Sequence, residues 1–270
     1  MSQGFVGRSP TVRMKRVRFR DPAGAVRTGE WVTENGGPAG TDTAGAAGVV
    51  RFGDRSYDPA AVTVLAPCEP SKLVCVGRNY ADHADEMGGA VPDRPLLFLK
   101  PPNTVASHGS DIPLPAGKQV DYEAELGVVI GKQCRDIDQS EAMEVVAGYT
   151  CVVDLSNRDD QRTEQNWVRG KAFDGAAPLG PVLATPEHVP ADASVELRVN
   201  GDRRQSASRA QLVFSVPELI TEITGYLTLQ PGDVIATGTP EGVGPLDNGD
   251  EVEVRIEGVG RLVHTVTTPE

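Results

Sequence analysis

"VDYEAELGVVIG", residues 120–131, decides the fold class. From Leu126 onward it is a run of branched apolar residues bounded by glycines, the composition of a buried β-strand. Its first half places Asp121, Glu123 and Glu125 at every second position. Side chains alternate faces along a strand, so the three acids share one face, about 7 Å from each to the next. The same face continues into Val129, which points to interior rather than water. Ionised carboxylates there repel one another and lose hydration, at several kcal/mol each unless protonation, a basic partner or a divalent cation compensates. An exposed strand end with solvated acids is the other reading of this segment alone.

Outward from this strand the chain reads as mainly β with a few short helices. Thirty glycines and 21 prolines in 270 residues mark many turns, and with 5% aromatic residues the core relies on Val, Leu, Ile and Ala. Residues 1–70 read as a small β-rich N-terminal region. In it "MKRVRFRDPAGAVRTGEWV" is two strands about a turn, "TENGGPAGTDTAGAAG" a loop and "VVRFGDRSY" a short strand. Residues 71–270 form the main domain. "KLVCVG", "PLLFLKPPN" and "YTCVVDLSNRD" are strands, and "NYADHADEMGG" is a short helix stopped by Gly88 and Gly89. The spacing of Asp138 and Glu141 predicts a capped helix over "DQSEAMEVVAG", ending at Gly148. Asn200-Gly201 predicts a two-residue hairpin turn, and Ser215 with Glu218 opens a helix from about Val216 to Tyr226.

Charge and composition exclude several classes. A net charge of −12 argues against nucleic acid or anionic membrane as partner. No apolar run of about 18 residues spans a bilayer, and the first residues lack the apolar centre of a secretory signal, so a cytoplasmic location is expected. Cys68, Cys75, Cys134 and Cys151 form no CxxC pair and read as buried free thiols. There is no Gly-rich nucleotide-phosphate motif.

Asp154 follows the apolar run "YTCVV", so it too lies where a buried strand meets a polar segment. Two glutamates and an aspartate from neighbouring strand ends make an all-oxygen, hard donor set, suited to Mg²⁺ or Mn²⁺ with positions left for water or substrate. His83 and Glu86, three apart on the short helix, share a face; a carboxylate beside an imidazole makes a base able to take a proton from water, although an isolated pair of this kind also occurs on ordinary surfaces. Lys100, Arg158, Gln161 and Lys171 stand near these elements, and "TGTPEGVGP" is a Gly- and Pro-rich turn region.

Together "KLVCVGRNYADHADEMG", "PLLFLKPPNT", "DYEAELGVVIGK", "GYTCVVDLSNRDDQ", "GKAFDGAAPLGP", "VNGDRRQ" and "LQPGDVIATGTPEGVGP" resemble, in order, the fumarylacetoacetate hydrolase family. The resemblance covers about residues 71–266, and residues before 70 lie outside it. It implies a mixed β-sandwich roll, a homodimer, and Mg²⁺ or Mn²⁺ held by Glu123, Glu125 and Asp154. It implies His83 and Glu86 as the pair that activates water, with Lys171 and Gln161 orienting substrate and stabilising an oxyanion. It places Arg78, Tyr80, Lys100, Arg158 and Thr239 along the substrate pocket.

The implied substrate is a small 2-oxo acid that meets the cation through its carboxylate and 2-oxo oxygen. Hydrolysis of a C–C bond in an acylpyruvate or fumarylpyruvate is the leading expectation, because the His-Glu pair is intact. Isomerisation of 2-hydroxyhepta-2,4-diene-1,7-dioate and decarboxylation of oxaloacetate are chemically open at the same site. A catalytically silent relative that only binds a cation or carboxylate is the rival from another class.

Overall fold

A computed structural model describes residues 15–32, 48–86 and 88–268. The loop expected over residues 33–48 lies outside the described residues except for its last position. The large sheet is built around the opening strand, observed as Ala124–Ile130. It pairs antiparallel with Val146–Val153 on one side and with Val234–Ala236 on the other. Beyond Val146–Val153 come Ala177–Ala184, then Lys15–Arg20, Val26–Val32, Val49–Phe52 and Arg55–Tyr57. On the other flank Leu73–Gly77 pairs parallel with Val234–Ala236 and carries Leu96–Lys100 at the edge. The described N-terminal strands therefore extend the main sheet, through Lys15 opposite Ala184 and Arg16 opposite Leu183.

A five-stranded sheet, in the order Asp202–Ser208, Ser194–Val199, Glu251–Ile256, Gly260–Thr267 and Asp111–Pro113, packs against the large one. Between them lies the main core, which takes Leu126, Val128 and Ile130 from the even face of the opening strand. Each such side chain contributes about 1.5–3 kcal/mol by leaving water. Val129, on the odd face, joins a smaller cluster with Leu73, Val152 and Val234. The helix Val216–Tyr226 closes the core with Val216, Leu219, Ile220 and Ile223, and Ser215 N–H donates to Glu218 Oε2 at 2.8 Å. The hairpin between Ser194–Val199 and Asp202–Ser208 turns at Asn200 and Gly201, both at positive φ. The result is the mainly β, mixed-sheet sandwich expected.

Three local expectations change. The helix expected over 138–148 is one 3-10 turn, Ala142–Val145, and Val146 already begins the strand. Val145 and Val146 are β-branched, and ladder pairing with Ala124–Ile130 outweighs the capping signal. Asp138 C=O instead accepts the N–H of Glu141 at 2.9 Å, closing a turn. "VVRFGDRSY" is a hairpin, Val49–Phe52 with Arg55–Tyr57, because Gly53 at φ +58 reverses the chain. The cysteines are free, with Cys75, Cys134 and Cys151 buried, but Cys68 is only half-buried. Among the described residues no helix is long and apolar enough to cross a membrane.

Candidate active site

The antiparallel register places Ala124 opposite Val153, so Glu123 and Asp154 face each other as the ladder ends, and Asp154 N–H donates to Glu123 C=O at 2.8 Å. Glu125 follows on the same face. One carboxylate oxygen from each of Glu123, Glu125 and Asp154 lies within 4.8 Å of the others, and all three side chains are buried. The solvated-strand-end reading is thereby removed.

Compensation for the buried charge comes from three directions. Lys171, on the short helix Val168–Lys171, donates from Nζ to Asp154 Oδ2 at 2.8 Å, to Glu123 Oε2 at 3.0 Å and to Ser156 Oγ. Arg158 opens the helix Arg158–Thr163, capped by Asn157. It donates from Nε to Asp121 Oδ2 at 2.7 Å and from Nη1 to Gln161 Oε1 at 2.8 Å, and its Nη2 lies 2.7 Å from Glu123 Oε1. Lys100 Nζ lies 2.8 Å from Asp154 Oδ1 as an ion pair, but its three protons go to the carbonyls of Leu155, Lys171 and Ala176. Asp154 Oδ1 is consequently a buried oxygen with no hydrogen bond, a free donor atom inside the acidic cluster.

The three acids differ electrostatically. Burial raises the Glu123 carboxyl, but Lys171, Arg158 and His83 outweigh it and hold that group well below the usual carboxylate range. Burial, then Asp154 and Glu123, push Glu125 well above that range, and the Gly238 N–H at 2.9 Å from Oε2 does not offset them. Burial lowers the Lys171 ammonium, but Asp154 and Glu123 raise it further, so it stays charged. Gly238 has φ +104, and a Cβ there would lie 2.7 Å from that of Asn79; only glycine lets this backbone reach Glu125.

A cavity of about 260 Å³ opens over these groups. It is lined by Glu123, Glu125, His83, Gln161, Lys171, Arg78, Arg158 and Thr239 among the expected residues. His83 is buried on the helix Ala81–Glu86, with Nδ1 3.2 Å from Glu86 Oε2. Glu86 in turn accepts the Gly242 N–H, at 3.0 Å to Oε1, tying the short helix to the turn region 238–245.

Two residues expected along the pocket lie outside its lining. Lys100 is fully buried beneath Asp154, because three carbonyls and a carboxylate satisfy its ammonium there. Tyr80 is buried in a β-bridge to Leu212, and burial, with Glu125 as the next contribution, raises its phenol above the ordinary value.

Sequence reasoning missed several participants. Arg162, Trp167 and Phe98 line the cavity, with the two rings edge-to-face at 5.5 Å. Gln205 is buried; its Oε1 accepts the N–H of Ala124, between the two glutamates, and its Nε2 donates to Thr239 Oγ1 at 2.8 Å. An amide at a strand position flanked by "RR" and "S" carries no local sign of burial. Asp121, which shared the acids' face without a role, is the charge partner of Arg158.

An all-oxygen cluster with one unsatisfied buried oxygen fits a hard divalent cation. Residues 72–267 match the family model described as fumarylacetoacetate (FAA) hydrolase C-terminal. The oxaloacetate tautomerase YisK of Bacillus subtilis is 41% identical over 230 residues, covering 80% of this chain and 76% of the relative. The crystal structure of 2-hydroxyhepta-2,4-diene-1,7-dioate isomerase from Mycobacterium marinum superposes with a TM-score of 0.82 at 34% identity, covering 94% of this chain and 98% of that one. Fumarylpyruvate hydrolase from Pseudomonas aeruginosa, solved in complex with Mn²⁺ and pyruvate, superposes with a TM-score of 0.71 at 33% identity, covering 81% of this chain and 94% of that one.

Proposed function

The chain belongs to the fumarylacetoacetate hydrolase C-terminal family, and on that premise we propose that it is a Mg²⁺- or Mn²⁺-dependent enzyme of small 2-oxo acids. Its proposed reaction is hydrolysis of the C–C bond of an acylpyruvate such as fumarylpyruvate. The observation that carries this reading is the joining of a general base to the acidic cluster: His83 lines the same cavity as Glu123 and Glu125, and Glu86 holds its ring.

Glu123, Glu125 and Asp154 would hold the cation, which when bound would supply Lewis-acid polarisation of the 2-oxo acid. Glu86 Oε2 accepts from His83 Nδ1–H, leaving Nε2 to take a proton from water. That water attacks the carbonyl distal to the carboxylate, the C–C bond breaks, and the electron pair stays with the pyruvate fragment, which then gains a proton. Gln161 accepts from Arg158 through Oε1, which leaves its amide protons as donors to the oxyanion of the attacked carbonyl, while the Lys171 ammonium, its protons held by Asp154, Glu123 and Ser156, contributes its charge.

A second reading, keto–enol tautomerisation of oxaloacetate, is favoured by the greater identity to the Bacillus subtilis tautomerase. It needs proton transfer between oxygen and carbon but no C–C bond cleavage. Isomerisation or decarboxylation would use the same groups.

The test is incubation with fumarylpyruvate, acetylpyruvate and oxaloacetate, in Mn²⁺ or in EDTA, with pyruvate measured through lactate dehydrogenase. Metal-dependent pyruvate release from an acylpyruvate, abolished by Glu125→Ala, is expected. Oxaloacetate enol-to-keto conversion with no release from either acylpyruvate would exclude the hydrolytic reading in favour of the second.

A further inference from the structure

We propose that Gln205 is a positioning residue: its amide fixes the Thr239 hydroxyl as a hydrogen-bond donor into the cavity. At that point the site then takes a ligand oxygen that only accepts, a carboxylate or a carbonyl. The inference rests on the proposed binding of a 2-oxo acid at the acidic cluster, and it assigns the polarity of one contact there.

Gln205 reaches the site through an irregularity in its strand. Where Ser194–Val199 pairs with Asp202–Ser208, Leu197 lies opposite Gln205 but Arg198 lies opposite Arg203, which leaves Arg204 as an extra residue. Such a bulge turns the side chains beyond it to the other face. Without it Gln205 would stand opposite the half-buried Glu196; with it Gln205 stands opposite Leu197, on the core side. The turn that carries Thr239 lies close against this bulge. A Cβ on Gly242, at φ +93, would be 2.2 Å from the Arg204 carbonyl oxygen.

The buried amide can point only one way. Its Oε1 accepts the Ala124 N–H at 2.9 Å, and its Nε2 donates to Pro240 C=O and to Thr239 Oγ1, both at 2.8 Å. Turned over, it would set its NH₂ against an N–H and its oxygen against a carbonyl. Thr239 Oγ1 therefore accepts from Gln205, and its own single proton goes elsewhere. Thr239 is buried, lines the cavity and makes no other hydrogen bond through Oγ1 among the described residues. The proton is left for a group inside the cavity. Its place is beside the acidic cluster: the preceding residue, Gly238, donates its N–H to Glu125 Oε2, and Gln205 itself holds the N–H between Glu123 and Glu125. A ligand with a carboxylate or carbonyl oxygen there completes the chain of bonds, whereas one with an N–H meets a second donor.

The test is a double-substitution cycle read by calorimetric titration of pyruvate into protein saturated with Mn²⁺. Thr239→Val removes the hydroxyl at nearly constant shape. It should weaken pyruvate about 10-fold, the lower end for a hydrogen bond to a charged group, and Thr239→Ser should stay within about 3-fold. Gln205→Glu keeps an acceptor for the Ala124 N–H but puts a second acceptor where Nε2 stood, so the Thr239 proton turns away from the cavity. Its loss of affinity should be about 10-fold larger with Thr239 present than in the Thr239→Val background. The added charge and any loosening of the fold act in both backgrounds and cancel in the cycle. Gln205→Met repeats the cycle without a charge where Gln205→Glu does not fold, and its coupling should have the same sign and exceed about 3-fold. Unchanged affinity in Thr239→Val, or a coupling below about 3-fold, overturns the proposal and leaves the 2-oxo acid reading in place. No pyruvate binding by the unsubstituted Mn²⁺-loaded protein would overturn that reading, and this inference with it.

Discussion

Replacing Asp121 by alanine tests whether the acid without a cation of its own is what holds the site together. Asp121 Oδ2 accepts from Arg158 Nε at 2.7 Å, and both side chains are below one-tenth exposed. Removing one partner of a buried pair costs about 3–5 kcal/mol, because the remaining charge stays buried. Arg158 keeps Glu123 and Gln161, so the lower end, about 3 kcal/mol, applies. For a chain of this size that lowers Tm by about 6–12 °C. Asp121→Asn retains an acceptor for Nε but not the charge, and its loss should be about half as large, since a neutral acceptor is roughly half as strong. The functional consequence is separate. Without Asp121 the guanidinium has Glu123 as its one carboxylate partner among the described residues and competes for the oxygen that the proposed function gives to the cation, so Mn²⁺ affinity should fall about 10-fold, as when outer-shell partners are lost. Thermal unfolding in EDTA reads the first effect and calorimetric Mn²⁺ titration the second. Asp121→Ala with a Tm within 1–2 °C of the parent, about half a kcal/mol, and Mn²⁺ affinity within 2-fold would refute the assignment.

Three further outcomes are expected. His83→Ala should lower acylpyruvate hydrolysis by about 10²–10⁴-fold, the usual worth of a general base, and oxaloacetate decarboxylation far less, since only hydrolysis needs activated water; equal losses in steady-state assays of both reactions would contradict the role. Gln205→Ala leaves the Ala124 N–H without an acceptor and frees Thr239 Oγ1, at about 1–3 kcal/mol, and should weaken Mn²⁺ binding in calorimetry beyond what that destabilisation explains, because the freed N–H lies between Glu123 and Glu125, the proposed ligands. His264 is buried with both ring nitrogens unpartnered, and burial, then His108, lower its pKa to about 3 from an ordinary 6.5. The unfolded chain therefore binds the proton first; stability is complete above pH 6.5, is lost as pH falls toward 3, and is lower by about 2 kcal/mol at pH 5. Denaturant unfolding at pH 7 and pH 5 should show that difference shrink in His264→Phe, and an unaltered difference would rule the group out.

What could be read from the sequence follows from how local each signal is. The alternation in 120–130, the Asn200-Gly201 turn and the apolar face of Val216–Tyr226 are set by neighbours within a few positions, and they reappear in the structure. The acidic cluster was visible because strand alternation puts Glu123 and Glu125 together, and a second strand end supplies Asp154. Lys100 was misplaced because its partners Leu155, Lys171 and Ala176 lie 55, 71 and 76 positions away, so no window of sequence contains its environment. The helix expected near 138–148 failed for the same reason, since sheet pairing with a distant strand overrode a correct local cap. Arg162 and Trp167 were hidden in a polar segment that folds into two short helices, Arg158–Thr163 and Val168–Lys171, of six and four residues.

The charges of the site favour a divalent cation, rather than another lysine, as the group that the proposed function adds to it. Asp121, Glu123, Glu125 and Asp154 are buried together, and Arg158, Lys100 and Lys171 are the cations among them. Four acids against three bases leave the cluster one positive charge short. The shortfall falls on Glu125, whose one hydrogen bond among the described residues comes from a backbone N–H and whose carboxyl is pushed up by burial, Asp154 and Glu123. A singly charged side chain in that position would only neutralise the site. A divalent cation leaves it with one positive charge in excess, inside a cavity further lined by Arg78 and Arg162. Under the proposed function that excess would draw an anionic 2-oxo acid to the place where its electrons must be stabilised, while Lys100, beneath Asp154 and out of reach, keeps the acidic cluster from repelling itself apart.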